Sequence, residues 1–236
     1  MKRYRYSIVI PTLNERDNMA PLLAKIENSG LEDFEIVVID ENSPDGTLAA
    51  VHAYAGGKPH IRGLANDGLR GLSPSIVKGF SEARGEILCC MDGDMQHDAK
   101  DLAGLLKTAE NHDFVVGSRY VAGGGFAERW NPARVVISRG ATLMAHLLLG
   151  VTVRDPMSGF FAVRRTAFEK VKPDLSPRGF KIMLELLYLI SRTGEFSVTE
   201  YGITFGKRLH GESKLSFKVI REYLAMLWKL RRNKTK

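Results

Sequence analysis

Hydrophobic residues fall along this chain in short unbroken runs, and the stretches between them carry hydrophobic positions every three or four residues. An unbroken apolar run bounded by turn residues reads as a strand buried on both faces, the kind found in parallel sheets. Ser7 to Ile10, Ile36 to Ile39 and Ile87 to Met91 have this form, and His60 to Leu64 is a weaker example. DFVVGSRY adds a further strand that ends on Arg119. Helices are predicted between them. The first begins at Asn14, Glu15 and Asp17 and runs to about Ser29, where Gly30 stops it; others start near Thr47, span Ser73 to Arg84, and span Lys100 to Asn111. Pro11 is expected to end the first strand, since proline removes a ladder donor. Repeated strand, turn and helix units predict an α/β fold with a parallel sheet and right-handed crossovers.

A chain of 236 residues with 44% hydrophobic content can bury a substantial core. Disordered and fibrous classes are thereby excluded. No apolar run reaches the roughly 20 residues of a membrane span, and the first strand follows MKRYRY too closely for a secretory leader. Cys89 and Cys90 are adjacent in a core strand, where neighbouring side chains point to opposite faces; they are expected to be buried, reduced and cytosolic. The net charge of +7 is concentrated late in the chain: from Tyr201 onward ten Lys or Arg face only Glu212 and Glu222. A basic tail of this kind suits an anionic surface, whether lipid or nucleic acid.

Candidate chemistry gathers where strands end. Asp92-Gly93-Asp94 puts two carboxylates at the carboxyl end of a core strand, offering hard oxygen ligands for Mg²⁺ or Mn²⁺ where open α/β sheets bind ligands. An acidic turn that merely stops the strand is the bland alternative. Asp40 ends the second strand and is placed to accept hydrogen bonds from a base or ribose, or simply to cap its turn. Gly63, Gly68 and Gly71 precede a helix, as in phosphate-cradling loops. The glycine fingerprint of dinucleotide enzymes is missing after the first strand. At the same sheet edge Arg119 offers a cation for a diphosphate.

The segments IVIPTLNE, VVIDENSPDGT, MDGDMQHD, VVGSRY, VVISRG, DPMSGFFAVRR and GESK occur in the order seen in family 2 inverting glycosyltransferases. The resemblance runs from about Ser7 to Phe217 and is greatest to dolichyl-phosphate or polyprenyl-phosphate mannosyltransferases. It implies the GT-A fold, a Rossmann-like architecture with a mostly parallel central sheet, helices on both faces, and amphipathic interface helices. Pro11, Asn14, Glu15 and Asp40 match nucleotide-contacting positions, while Asp92, Asp94 and Gln96 match the metal and sugar-nucleotide site. Arg119, Arg134, Ser138 and Arg208 match positions around the diphosphate and the acceptor phosphate. The implied substrates are GDP-mannose and a polyprenyl or dolichyl monophosphate, with Mg²⁺ or Mn²⁺ as cofactor. Two departures stand out: Asp40-Glu41 replaces the usual Asp-Asp, and DGD replaces the common DAD.

The tail changes the domain picture. Residues 1–212 are expected to form the catalytic domain and 213–236 a basic amphipathic helix at the cytoplasmic membrane face. At about 100° per residue, Lys214, Lys218, Arg221, Lys229 and Arg232 share an arc beside an apolar stripe of Phe217, Ile220, Leu224, Leu227 and Trp228. Pro132 to Leu149 is a second interfacial candidate, with Val136, Met144, Leu147 and Leu148 as apolar surface. A phosphate monoester is already largely dianionic near neutral pH, so no general base is required of the chain; Asp155 would serve as one if the acceptor were a hydroxyl. Rival functions are transfer from a UDP-sugar, a non-catalytic nucleotide-sugar sensor, and a nucleic-acid-binding protein. The last leaves the DGD unexplained, and nucleic acid is not expected as a partner.

Overall fold

A computed structural model describes residues 3–69, 71–127, 132–206 and 217–232, without the side chains of Pro132, Ala133, Arg134, Val136, Phe217, Lys218 and Val219. The chain opens with β1 (Tyr4–Thr12), α1 (Arg16–Glu27), β2 (Phe34–Asp40), α2 (Thr47–Ala55), β3 (Ile61–Ala65), α3 (Leu72–Glu82) and β4 (Gly85–Cys90). It continues with α4 (Ala99–Ala109), β5 (Phe114–Ser118), β6 (Gly125–Phe126), α5 (Pro132–Leu149), β7 (Phe161–Arg164) and α6 (Arg165–Val171). The last elements are α7 (Ile182–Thr193), β8 (Val198–Gly202), β9 (Thr204–Phe205) and α8 (Phe217–Arg232). Seven strands form one sheet in the order β3-β2-β1-β4-β7-β5-β8, and β6 pairs with β9 in a small second sheet.

Side-chain alternation along the strands divides the core in two. Val9, Val37, Ile39, Leu88 and Cys90 face α3, α5, α6, α7 and α8. Ile8, Ile10, Ile36, Val38, Ile87 and Cys89 face α1, α2 and α4 on the other side. Every one of these strand residues is at most 3% exposed, so the unbroken apolar runs follow from coverage on both faces. Cys89 and Cys90 lie in opposite halves of the core as free thiols, and burial pushes both thiol pKa values up.

One expectation needs correction. Pro11 does not end β1; it pairs in register with Ile39, and the strand continues to Thr12. Neighbouring residues of a strand present their backbone to alternate sides. Val9 accepts from Met91 on the β4 side while Thr12 accepts from Glu41 on the β2 side, so Pro11 turns its missing N–H toward β4, whose register with β1 has ended at Cys90. The sheet is mostly parallel, as the resemblance implied, with β7 antiparallel between β4 and β5. Ala162 and Val163 are wholly buried in this strand, and its direction depends on a long-range connection that local patterning does not encode.

The tail helix divides the apolar stripe between the protein and the outside. Among the described residues of α8, Tyr223, Leu227 and Leu230 are buried, whereas Leu224 and Trp228 are 45% and 65% exposed. Tyr223 Oη donates to the Ala141 carbonyl at 2.6 Å and Tyr188 Oη donates to the Leu230 carbonyl at 3.2 Å, which fixes this rotation against α5 and α7. Among the described residues no helix is long and apolar enough to cross a membrane.

Candidate active site

β1 is the switch point of the sheet: the chain winds from it through β2 to β3 on one side, and β4 begins the other side. Crevices at such points, outside the carboxyl ends of the strands, are where open α/β sheets bind ligands. Met91 is the last core residue after β4, and Asp92-Gly93-Asp94 emerges there. The turn that follows is tightly fixed. The Asp92 N–H donates to His97 Nδ1 at 3.2 Å, Asp94 Oδ1 accepts from the Gln96 N–H at 3.1 Å, and Gln96 Nε2 donates to the Gly206 carbonyl at 3.2 Å. Met95 takes a left-handed φ of 66° to make this possible. Asp98 then caps α4 by accepting from the Lys100 N–H at 3.0 Å.

His97 packs the turn onto the core. Its ring stacks on Phe160 at 4.8 Å and meets the edge of Phe205 at 5.5 Å. Because Nδ1 accepts from Asp92, the ring is the neutral tautomer with its proton on Nε2. Burial lowers its pKa to about 4, with the Arg119 charge acting the same way and Asp94 and Asp155 opposing.

A cavity of about 370 Å³ opens beside the turn. Asp92, Asp94, Gln96, Arg119, Ser158 and Lys181 supply its polar wall. Ile137, Ala141 and Met144 of α5, with Met157, Ile220 and Tyr223, make the remainder apolar. Ser138 lies on the α5 side. Asp92 is one-third exposed, while Asp94 is 5% exposed. A Cβ on Gly159 would stand 2.8 Å from Asp92 Oδ2, so only glycine leaves that carboxylate its position.

Arg119 follows β5 into the cavity wall, but its guanidinium is already engaged. Nε donates to Asp155 Oδ2 and Nη2 to Asp155 Oδ1, both at 2.7 Å, and Phe205, Phe126 and Tyr120 surround it with ring centroids 5.3 to 5.8 Å from its carbon or from one another. Asp155 is wholly buried in this pair. A carboxylate held so is ill placed to take a proton from an incoming hydroxyl.

The remaining predicted residues fall into two groups. Pro11, Asn14, Glu15 and Asp40 sit together at the neighbouring carboxyl ends of β1 and β2. The Asn14 N–H donates to Ser43 Oγ at 2.9 Å and the Glu15 N–H to Thr47 Oγ1 at 3.0 Å. Asp40, 1% exposed, accepts from the Ser43 N–H at 2.8 Å, Ser43 Oγ at 2.6 Å and Thr12 Oγ1 at 3.1 Å, so in this structure it caps its turn. Glu41 reaches the loop before α3, where Oε2 accepts from the Gly71 N–H at 3.0 Å. The Arg134 side chain, all of Arg208 and the GESK segment lie outside the described residues.

Sequence patterning missed Lys181, Tyr223 and the Ser158-Gly159 pair as site components. The pair was visible inside DPMSGFF, whereas nothing local marks Lys181. Its position depends on α7, whose residues from Ile182 to Tyr188 are buried and fix the lysine stem at the helix start.

The donor set can be tested against a divalent ion by its chemistry. Two carboxylates share one cavity wall, yet among the described residues no group of three or more His, Cys, Asp or Glu could hold a metal. Sites that bind Mg²⁺ or Mn²⁺ through one or two carboxylates and complete the shell with substrate phosphate and water have this composition. The residues fit such an ion.

Residues 7–172 match the family described as "Glycosyl transferase family 2". The chain belongs to this family. This glycosyltransferase is 38% identical over 232 residues to the "Dolichol-phosphate mannosyltransferase" of Saccharomyces cerevisiae, covering 95% of its own length and 86% of the yeast protein. Among solved structures it superposes with a TM-score of 0.72 on glucosyl-3-phosphoglycerate synthase from Mycobacterium tuberculosis in complex with Mn²⁺, uridine diphosphate and phosphoglyceric acid, at 21% identity over 97% of this chain and 78% of that one. A mannosyltransferase from Pyrobaculum calidifontis in complex with GDP-Man and Mn²⁺ gives a TM-score of 0.66 at 17% identity, over 100% of this chain and 65% of the other. The fold of the family 2 enzyme is therefore GT-A, as its motifs implied.

Proposed function

We propose that this glycosyltransferase moves mannose from GDP-mannose to the phosphate of a polyprenyl or dolichyl monophosphate, with inversion at the sugar. The observation that carries the reading is the cavity itself, which joins a carboxylate pair suited to a metal-bound diphosphate to apolar walls suited to a prenyl chain. Descent from a common ancestor with the yeast mannosyltransferase supports the choice of donor and acceptor.

In this mechanism Asp92 and Asp94, with Gln96 beside them, would hold Mg²⁺ or Mn²⁺. The bound ion supplies Lewis-acid stabilisation of the departing nucleoside diphosphate. Pro11, Asn14, Glu15 and Asp40 form the nucleotide side of the crevice. Arg134, Ser138 and Arg208 aim the acceptor phosphate, and Arg119 contributes positive potential from its fixed place on Asp155. The acceptor oxygen arrives ionised, so the protein's task is alignment within a site that excludes water. Asp155 acts as the anchor of Arg119 in this scheme, with no proton to accept.

Residues 213–236 are proposed to form a membrane-interfacial unit that works with α5 at the cytoplasmic face. Leu224 and Trp228 of α8 and Ile137, Leu143 and Leu147 of α5 are exposed, and Arg221, Lys229, Arg231 and Arg232 are exposed on the same helix as the tryptophan. Apolar side chains bordered by basic ones suit anionic lipid head groups.

The test is a panel of GDP- and UDP-sugars offered with Mg²⁺ or Mn²⁺ and a short polyprenyl phosphate, with the glycolipid identified by mass spectrometry. Mannosyl phosphoprenol formed from GDP-mannose is the expected product. A UDP-sugar product would replace the donor, and nucleotide binding without turnover would replace the enzyme reading by a sensor.

A further inference from the structure

Two cationic side chains among the described residues line the cavity, Arg119 and Lys181. They differ in what they already hold. Arg119 spends Nε and Nη2 on Asp155. Among the described residues Lys181 Nζ has no hydrogen bond or ion pair, and the Lys181 carbonyl accepts from the Glu185 N–H at 3.2 Å. Burial pushes the Lys181 pKa down and the Arg119 charge adds to this, with Asp92 and Asp155 pulling the other way. Lys181 is half-buried at the cavity wall, and a partly desolvated ammonium there favours an anionic ligand.

Its place on the cavity wall says which anion. Lys181 borders Asp92, Ser158 and Gly159 on one side. On the other it borders Glu222, Tyr223 and Met226 of α8. It thus stands where the carboxylate wall meets the apolar wall. A sugar-nucleotide diphosphate brings its own divalent counter-ion to Asp92 and Asp94. A prenyl monophosphate brings none, and Met157, Ile220 and Tyr223 give the cavity an apolar wall that matches its chain.

We propose that Lys181 is a binding residue for the phosphate of the acceptor, holding it at the boundary between the prenyl-lined wall and the donor site. This deepens the reading of the cavity as a polyprenyl phosphate site and rests on it. A lysine suits the task because its three donors turn on a flexible stem and can follow an oxygen that moves toward the sugar.

The experiment compares wild type with Lys181→Met, Lys181→Gln and Lys181→Arg. Calorimetry of the metal-free proteins with farnesyl phosphate, and with farnesol as the uncharged control, reads acceptor binding without turnover. Farnesyl phosphate is expected to bind about 10- to 100-fold more weakly to the Met and Gln variants, as for loss of a charged hydrogen bond, with farnesol unchanged and Arg recovering most of the loss. Affinity for GDP with Mn²⁺ is expected to stay within about twofold, and the KM for polyprenyl phosphate to rise in step with the binding loss. Equal farnesyl phosphate affinity in all four proteins would overturn the proposal, as would a loss confined to GDP. If the Met variant does not fold, the phosphate-over-alcohol preference of the Gln variant decides by the same criterion. A wild type that binds farnesyl phosphate through Lys181 but transfers no mannose would instead sink the proposed reaction and leave this assignment standing.

Discussion

Arg119 and Asp155 form a forked ion pair with both contacts at 2.7 Å, and the Asp155 carboxylate also accepts from the Arg119 backbone N–H at 3.1 Å. One residue follows β5 and the other precedes β7, so the pair ties together two elements that meet only through the tertiary fold. Asp155→Ala would leave a buried guanidinium without its counter-charge. Urea denaturation is expected to report a loss of about 3 to 5 kcal/mol. A loss under about 1 kcal/mol would mean that solvent or another group compensates Arg119.

Asp94→Ala is expected to reduce mannose transfer by more than about 10³-fold while the far-ultraviolet circular dichroism stays unchanged. The side chain lines the cavity and accepts from the Gln96 N–H in the turn. Turnover close to that of wild type would remove the metal role from this residue.

Gly159→Ala tests the carboxylate's position without changing any polar atom. Its Cβ would fall 2.8 Å from Asp92 Oδ2, and the flexible carboxylate must turn to make room. Nucleotide affinity in the presence of Mn²⁺ is expected to drop about tenfold, with stability changed by less than about 1 kcal/mol. Unaltered affinity would show that Asp92 is not needed in its present orientation.

His97 makes stability depend on pH in the metal-free protein. Its pKa is about 4 when folded against an ordinary value of 6.5, so between these limits the unfolded chain binds the extra proton. Stability contributed by the neutral ring is therefore full above pH 6.5 and falls as the pH drops toward 4, by up to roughly 3 kcal/mol. Urea titrations of wild type and His97→Gln across this range should show the slope reduced in the variant. Equal slopes would assign the acid sensitivity elsewhere.

The outward and inward faces of α8 allow the proposed membrane contact to be tested apart from folding. Leu224→Ser with Trp228→Ser is expected to lower flotation with vesicles rich in anionic lipid and to leave the melting temperature within a few degrees. Leu227→Ala, at a position 1% exposed, is expected to cost about 2 to 5 kcal/mol. Undiminished flotation of the double serine variant would reject the lipid-facing assignment.

Much of the first half of the fold could be read locally. β1, β2, β3 and β4, with α1 to α4, fall within a few residues of expectation because apolar runs and helical spacing are properties of adjacent residues. Asp92, Asp94, Gln96, Arg119 and Ser138 do meet at one cavity, as the motif order implied. What escaped the sequence was set by distant partners. The direction of β7 depends on its neighbours in the sheet, the rotation of α8 on Tyr223 meeting Ala141, and the access of Lys181 to the cavity on the burial of α7. Asp40 illustrates the converse: its type suggested a ligand contact or a turn cap, and the geometry shows the cap.

The reversed strand has one more effect. With β7 interposed, the ledge bearing Asp92 and the ledge bearing Arg119 stand two strand widths apart, about 9.6 Å, where direct neighbours would stand at half that distance. The sheet thus acts as a calliper whose opening is set by backbone pairing and not by any side chain. Changes in the Pro156–Phe160 approach to β7 can reshape what enters between the jaws while both ledges keep their positions.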